Sequence, residues 1–498
     1  MAVNALKFMQ EVRAEVQKVT WPSRRETLIT TLMVFIMAAL AGIFFLIVDQ
    51  LIRRRIAIVD VGCERTADDS TLALCQTMSC CTGMYECRGA QDVQERASGQ
   101  DGRSAGPIHG PMPSARFFFP AVAAATLLST APSWAVLPFR FGLFAPGPLD
   151  GITDVPGVLV GHVTKIEGAS IRTGATAVLP NSDPWDHKVS AAFFAFNGNG
   201  EMTGTHWIEE SGYLEEPVVL TDTLDVGRAA DGVVSWVIAH HPRVGRGDDV
   251  PLPVVAECDD ALLNDIQARA VTPDDVVHLL DAAKTGQFER GGVGAGTGMN
   301  AFGFRAGIGS ASRVLPADEG GYRVGVLVND NTGSSRRLLT IVGVPVGEKL
   351  KNEYKPAFPD PVTLGGRLGS GSIIIVVATD APLDGRQLRA LALRAAMGMA
   401  RTGLTSTVGS GDLIVAFSTS RVFERTADFT IAAPQRPILE DDDTLDDLYT
   451  ATVEATQASI YDALFESKSE TGRHGVTVYA LPAERVLQML KAAGAVSP

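Results

Sequence analysis

The chain has 498 residues, a formal net charge of −14 and 46% hydrophobic residues. That length exceeds one ordinary domain, so two or more units are expected, with ample apolar material for a core. The acidic balance, without a basic stripe interleaved with aromatics, argues against a nucleic-acid surface, and none of the eight His pairs at His-x-x-x-His spacing for a zinc helix.

From Leu6 to Lys18 apolar and charged residues alternate at helical spacing, with Leu6, Phe8, Met9, Val12 and Val16 along one side. Pro22 stops this amphipathic helix, and Ser23 with Glu26 forms a capping-box spacing for the next. Leu28 to Val48 then carries no charge, which predicts a transmembrane helix over 28–48. Arg24 and Arg25 precede it and Arg53 to Arg55 follow, so the charge bias does not orient it cleanly.

The string Glu11-Val12-Arg13-Ala14-Glu15-Val16, then Lys18-Val19-Thr20-Trp21-Pro22-Ser23-Arg24, resembles the bacterial preprotein translocase subunit SecE. The resemblance implies a cytoplasmic surface helix, a tilted span that clamps SecY, and SecY and SecG-like translocon partners for residues 1–58. It also implies an inner-membrane, single-pass chain with a cytoplasmic N-terminus and everything after the span in the periplasm. Nothing in that family explains the following 440 residues, so a true fusion and two joined reading frames both stand open. On the second, the chain works mainly as the translocase subunit and the remainder is a passenger.

Residues 59–111 read as linker, polar and without periodicity. Five of the six cysteines fall between Cys63 and Cys87, at spacings that match no zinc knuckle, so no metal and no cofactor are expected. Residues 112–135 have the form of a secretory signal: Arg116, an apolar run from Phe117 to Leu128, and Ser133-Trp134-Ala135. A second span over Phe117–Phe139 is the rival, interrupted by Pro120, Pro132 and Pro138.

Beyond residue 136 strands and helices alternate. Strands are expected at Val158–Val163, Ala175–Leu179, Lys188–Phe196, Pro217–Thr221, Tyr322–Leu327, Ile373–Val377, Leu413–Phe417 and Val476–Leu481. Helices are expected at Leu224–Ile238, Asp260–Arg269, Pro273–Lys284, Asp384–Thr402, Leu445–Leu464 and Ala483–Ala492. No Gly-x-Gly-x-x-Gly follows the first strand, so dinucleotide binding has little support. Helices layered on paired sheets are the economical packing.

The chemistry centres on Gly371-Ser372, where a Gly-rich loop enters a buried apolar strand. A loop that bends there lets the Ser372 hydroxyl attack the Gly371 carbonyl. If that bond breaks, Ser372 becomes an N-terminus whose amine, with a reference pKa of about 7.7, is a base within reach of its own hydroxyl. Ser410 and Asp412, at i,i+2 spacing in an extended chain, lie on one side and can orient that amine. Asn331, past the end of a buried strand, can donate to an oxyanion. Glu257, at a strand end, can receive a substrate ammonium. A plain Gly-Ser turn, a turn-forming Asn and a solvated edge Glu are the bland alternatives for these positions.

From Gly147 to about Thr419 the chain resembles the L-aminopeptidase/D-esterases and β-peptidyl aminopeptidases. The matching strings include Ile152-Thr153-Asp154-Val155-Pro156-Gly157, Asn197-Gly198-Asn199-Gly200, Gly294-Ala295-Gly296-Thr297-Gly298, Gly371-Ser372-Ile373-Ile374 and Gly409-Ser410-Gly411-Asp412, in this order. The resemblance implies an α+β fold, an αββα sandwich like that of the N-terminal-nucleophile hydrolases, made as a precursor that cuts itself at Gly371/Ser372. It implies an α chain ending at Gly371, a β chain of Ser372–Pro498 and a further homo-oligomer. It further implies Ser372 as nucleophile, Ser410 and Asp412 beside its amine, Asn331 as oxyanion donor and Glu257 as the receiver of the substrate's amino group. The expected activity is release of N-terminal residues from small peptides, amides or esters. Two departures stand out: Asp259 and Leu262 lie where some members have a Tyr, and Asp412 stands where some have Glu.

Overall fold

The computed structural model describes residues 137–333, 335–359, 371–425, 431–432 and 438–496, together with helical positions between Thr31 and Phe44. The chain falls into two units, Met1–Val122 and Ala123–Pro498. The amphipathic helix expected at 6–18, the linker at 59–111 and the signal-like segment at 112–135 lie outside the described residues.

The expected transmembrane helix is corrected. No helix among the described residues is long and apolar enough to cross a membrane. The single-pass inner-membrane topology, and the periplasmic placement that rested on it, fall with that helix.

The second unit is built on two sheets. In chain order its principal strands are β1 (Leu159–Glu167), β2 (Ile171–Leu179), β3 (His187–Gly198), β4 (Tyr213–Leu214), β5 (Val218–Asp222), β6 (Val254–Cys258), β7 (Asn300–Ala301), β8 (Phe304–Arg305), β9 (Ile308–Val314), β10 (Arg323–Asp330), β11 (Ile373–Thr379) and β12 (Gly411–Arg425). Helices α1 (Thr205–Ser211), α2 (Val226–His240), α3 (Pro273–Asp281), α4 (Val346–Lys349), α5 (Gly385–Arg401), α6 (Asp442–Glu466) and α7 (Ala483–Ala492) accompany them. One sheet has the order β1-β2-β5-β6, the other β4-β3-β12-β11-β10-β9.

Alternation along the strands builds the layers. Ile374, Val376 and Ala378 of β11 join Leu413 and Val415 of β12 and Val218, Leu220, Val254 and Ala256 of the smaller sheet in one buried cluster between the sheets. Ile373, Ile375 and Val377 point the other way, into a cluster with Leu388, Leu391, Ala395 and Met399 of α5 and Ala451, Ala455 and Ala458 of α6. Val219 and Val255 meet Val233, Trp236 and Val237 of α2 and Val276, Leu279 and Leu280 of α3 on the far side. The result is an αββα sandwich. All seven residues of β11 are fully buried, which explains its unbroken apolar sequence.

Helix starts follow local chemistry. Asp384 accepts from the backbone of Gln387 (2.8 Å), whose side chain accepts from the backbone of Asp384 (3.1 Å), a complete capping box for α5. Thr272 caps α3, with Pro273 in its first turn. The helix expected at Asp260–Arg269 is absent; only Ile266–Ala268 makes a short 3-10 turn. There the Asp260 carboxylate accepts from Asn264 Nδ2 (2.9 Å), and a side chain that bonds locally favours turns over helix. The C-terminal strand expected at Val476–Leu481 shrinks to Thr477–Val478.

Candidate active site

Parallel pairing of β11 with β12 sets Ile373 opposite Asp412, and antiparallel pairing with β10 sets Ile373 opposite Asp330. These registers bring the ends of three central strands together, so Ser372, the Ser410–Asp412 segment and Asn331 share one end of the sheet. Ser372 is buried; its carbonyl accepts from the Asn331 backbone N–H (3.1 Å), and its Oγ accepts from the Gly411 backbone N–H (3.2 Å).

The structure brings Ser410 and Asp412 together. Ser410 Oγ donates to the Gly371 carbonyl and lies 2.6 Å from Asp412 Oδ1. The hydroxyl therefore bridges the carboxylate and the carbonyl that would be attacked. Burial pushes the Asp412 carboxyl above its usual range, opposed by the Ser406 and Ser410 hydroxyls. Its Oδ2 is buried without a well-formed hydrogen bond. A cleft lined by Thr332, Gly333, Gly371, Thr407, Ser410 and Asp412 opens beside this group. The larger cavity of about 340 Å³, between Phe288, Arg290, Glu466 and Lys468, contains none of these residues.

Asn331 is buried at the end of β10, with its side chain partly committed. Nδ2 donates to the Asp259 carbonyl (2.8 Å), while Oδ1 accepts from the backbone N–H (3.0 Å) and Nδ2 (3.2 Å) of Asn300. One Nδ2 proton is left beyond the Asp259 bond. Asp259 thus contributes its backbone carbonyl to this group.

Glu257 sits on the smaller sheet, at the end of β6. Its Oε1 accepts from the Glu201 backbone N–H (3.1 Å) and its Oε2 from Thr223 Oγ1. Burial raises its pKa, with Thr223 and Glu201 pulling it back. Gly200 links it to the start of β12, beside Ser372: a Cβ there would lie 3.2 Å from Glu257 Oε1 and 3.1 Å from the Gly411 Cα. Glu257 and Gly411 therefore face each other across a residue with no side chain.

Three contributors carried no assigned role in the sequence. Asn197 Nδ2 donates to the carbonyls of Thr407 and Ser410, both at 2.7 Å, and so pins the turn that presents Ser410. Thr223 orients Glu257. Asp330 lies buried beside Asn331. The Asn197-Gly198-Asn199-Gly200 turn is the one local signal for the first; the other two depend on strand register. Among the described residues Asp183, Asp186 and His241 are a set whose ligand atoms converge within 4.8 Å, and it includes none of the residues around Ser372. His241 there is flanked by both carboxylates, Nε2 at 3.1 Å from Asp183 and Nδ1 at 3.5 Å from Asp186.

Comparison with known proteins assigns two parts of the chain to known families. Residues 150–478 match Peptidase family S58, and residues 6–59 match SecE/Sec61-gamma subunits of protein translocation complex. The β-peptidyl aminopeptidase BapA of Sphingosinicella microcystinivorans is 40% identical over 392 residues, covering 75% of this chain and 96% of BapA. The crystal structure of the PH0078 protein from Pyrococcus horikoshii OT3 superposes with a TM-score of 0.65 at 40% identity, over 72% of this chain and 98% of the other. The L-aminopeptidase D-Ala-esterase/amidase of Ochrobactrum anthropi, described as a variant of the Ntn-hydrolase fold, gives a TM-score of 0.64 at 36% identity, over 72% and 98%. The self-processing N-terminal-serine hydrolase fold thus occupies the C-terminal part, fused to a non-catalytic SecE-like segment. With residues 150–478 matched and a relative covered over 96% of its length, the chain belongs to peptidase family S58.

Proposed function

We propose that the precursor cuts itself between Gly371 and Ser372 and that the product is an aminopeptidase working through an acyl-enzyme on Ser372. The observation that carries this reading is the Ser410 hydroxyl donating to the Gly371 carbonyl, with Ser372 Oγ held by Gly411 one residue away. Ser372 Oγ adds to the Gly371 carbonyl carbon and gives up its proton as Ser410 stabilises the developing oxyanion. The C–N bond breaks, the nitrogen takes up that proton as a neutral amine, and an ester links Gly371 to Ser372 Oγ. Water hydrolyses that ester, leaving a Gly371 carboxylate and a free Ser372 amine.

In the mature enzyme this amine takes the Oγ proton as Ser372 attacks a substrate carbonyl, with Ser410 and Asp412 positioning the amine. The second Nδ2 proton of Asn331 is the donor for the substrate oxyanion. Glu257 receives the substrate's ammonium group, which favours unblocked N-termini on small peptides, amides or esters; the β-peptidyl relatives extend this class to β-amino-acid residues. For residues 1–58 we propose contact with SecY- and SecG-like translocon subunits, supported by the match over residues 6–59. Co-purification of a tagged 1–58 segment with those subunits tests it; recovery without them contradicts it.

The central test is electrophoretic. The full chain of 52.7 kDa should yield a C-terminal fragment of 127 residues, Ser372–Pro498, whose N-terminus sequences as Ser-Ile-Ile. Ser372→Ala should leave the chain whole and without peptidase activity. Identical fragments from both proteins rule out Ser372 as the cleaving residue.

A further inference from the structure

Asp330 stands beside the nucleophile and has no part in the mechanism above. It faces Ile373 across β10 and β11, and Ile373 faces Asp412 across β11 and β12. Side chains in register on adjacent strands project to the same face, so the two carboxyl groups bracket Ile373, one residue from Ser372. The next backbone N–H after Asp330, that of Asn331, holds the Ser372 carbonyl.

Both carboxyls are unusually short of partners. Asp330 is fully buried; its Oδ1 accepts from the backbone N–H (3.2 Å) and Oγ1 (2.6 Å) of Thr332, and its Oδ2 is buried without a hydrogen bond. Asp412 Oδ1 is engaged by Ser410 and its Oδ2 is also buried without a well-formed bond. Burial first, then the charge of Asp412, pushes Asp330 up to about 7. The titratable groups that face it are Asp412 from β12 and the buried Cys258 thiol from β6. No cationic side chain among those described answers either carboxylate. In the intact chain Ser372 offers only an uncharged amide N–H. Cleavage replaces it with an amine, which when protonated brings positive charge and three donors to the same place.

We propose that Asp330 is a positioning residue for the nucleophile: with Asp412 it brackets the α-amine released at Ser372 and sets the pH at which that amine becomes a free base. The inference rests on the reading that Gly371–Ser372 is cut. A proton held by the carboxyl pair in the precursor passes to the newborn nitrogen, so a neutral acid and a neutral amine become a carboxylate and an ammonium with no further reactant. Two carboxylates favour the ammonium, so the amine frees its lone pair at a higher pH than an ordinary α-amine.

The test uses the processed enzyme and a peptide amide with a free N-terminus. In Asp330→Asn the 127-residue fragment should still form, and the acid limb of the kcat profile should move to lower pH by about one unit. Asp330→Glu, which restores a carboxylate, should bring the limb back toward that of the unchanged protein. Superimposable limbs for Asp330→Asn and the unchanged protein overturn the proposal. A second measurement does not depend on either variant folding: the pH dependence of acetylation of the Ser372 amine in the unchanged, processed enzyme. A half-point above the ordinary α-amine value of about 7.7 supports the proposal, and one at or below it overturns it. Absence of any free Ser372 amine overturns the cleavage reading itself and the proposal with it.

Discussion

The carbonyl oxygen of Asn331 occupies the space that a side chain on Gly371 would need. A Cβ at residue 371 would lie 1.7 Å from that oxygen and 2.9 Å from the Thr332 Cα. Gly371 therefore lies flush against the end of β10, and only glycine fits there. Gly371→Ala must push the loop away and carry the 371 carbonyl off Ser410. A displacement near 1 Å costs about 100-fold in a positioned reaction. We expect fragment formation to slow by at least tenfold, measured as band intensity against time after expression. Cutting at the unchanged rate contradicts this contact.

Ser410→Ala removes the hydroxyl on the Gly371 carbonyl while leaving backbone and packing in place. Losing one oxyanion donor costs about 100- to 1,000-fold. The variant should accumulate as uncut chain, with a melting temperature close to that of Ser372→Ala. Prompt processing of Ser410→Ala would assign polarisation of this carbonyl to another group.

Much of this site was legible because it is built from local rules. The apolar run at Ile373 is a fully buried strand. The helix expected at Asp384–Thr402 forms over Gly385–Arg401 and buries Leu388, Leu391, Ala392, Ala395 and Met399 at helical spacing. The i,i+2 spacing of Ser410 and Asp412 places them 2.6 Å apart. What escaped the sequence depends on distant partners. β9 lies in a Gly-dense stretch where no strand is expected from the sequence; Gly309 is there because a Cβ would lie 2.0 Å from the Ser459 carbonyl of α6. Its glycine marks close approach of a helix to a sheet, which no local pattern distinguishes from a turn. Asp330 likewise reads as one member of a polar strand end until the register sets it opposite Ile373.

Glu257→Gln tests substrate recognition apart from self-cutting. Processing should continue, because Glu257 bonds to Glu201 and Thr223 and not to Gly371. KM for substrates with a free amine should rise about 10- to 100-fold, corresponding to about 1.5–3 kcal/mol for a charged hydrogen bond. N-acetylated substrates should be unaffected by the change. In the unchanged enzyme, burial raises the Glu257 pKa, so the carboxylate is lost at a higher pH than for an ordinary Glu. KM should therefore climb early as pH falls, and this climb should vanish in Glu257→Gln. A KM that rises equally for free and acetylated substrates would make the loss structural.

Glu216 predicts how stability responds to alkali. Its neighbour Glu215 takes the available cations, Lys188 and Arg425. Glu216 is left 1% exposed, with neither oxygen in a well-formed hydrogen bond. Burial, then repulsion from Glu215, pushes its pKa from 4.5 to about 8, despite Arg425. The folded protein thus holds a proton here that the unfolded chain has released between about pH 4.5 and 8, and stability falls as pH rises through that window. At about 1.4 kcal/mol per pH unit the loss is on the order of 5 kcal/mol. Glu216→Gln carries no such proton. Introduced into the uncut Ser372→Ala chain, it should leave the melting temperature near that of its parent at pH 5 and raise it by several degrees at pH 9. An equal difference at both pH values would show that the Glu216 carboxyl is not held neutral in the folded state.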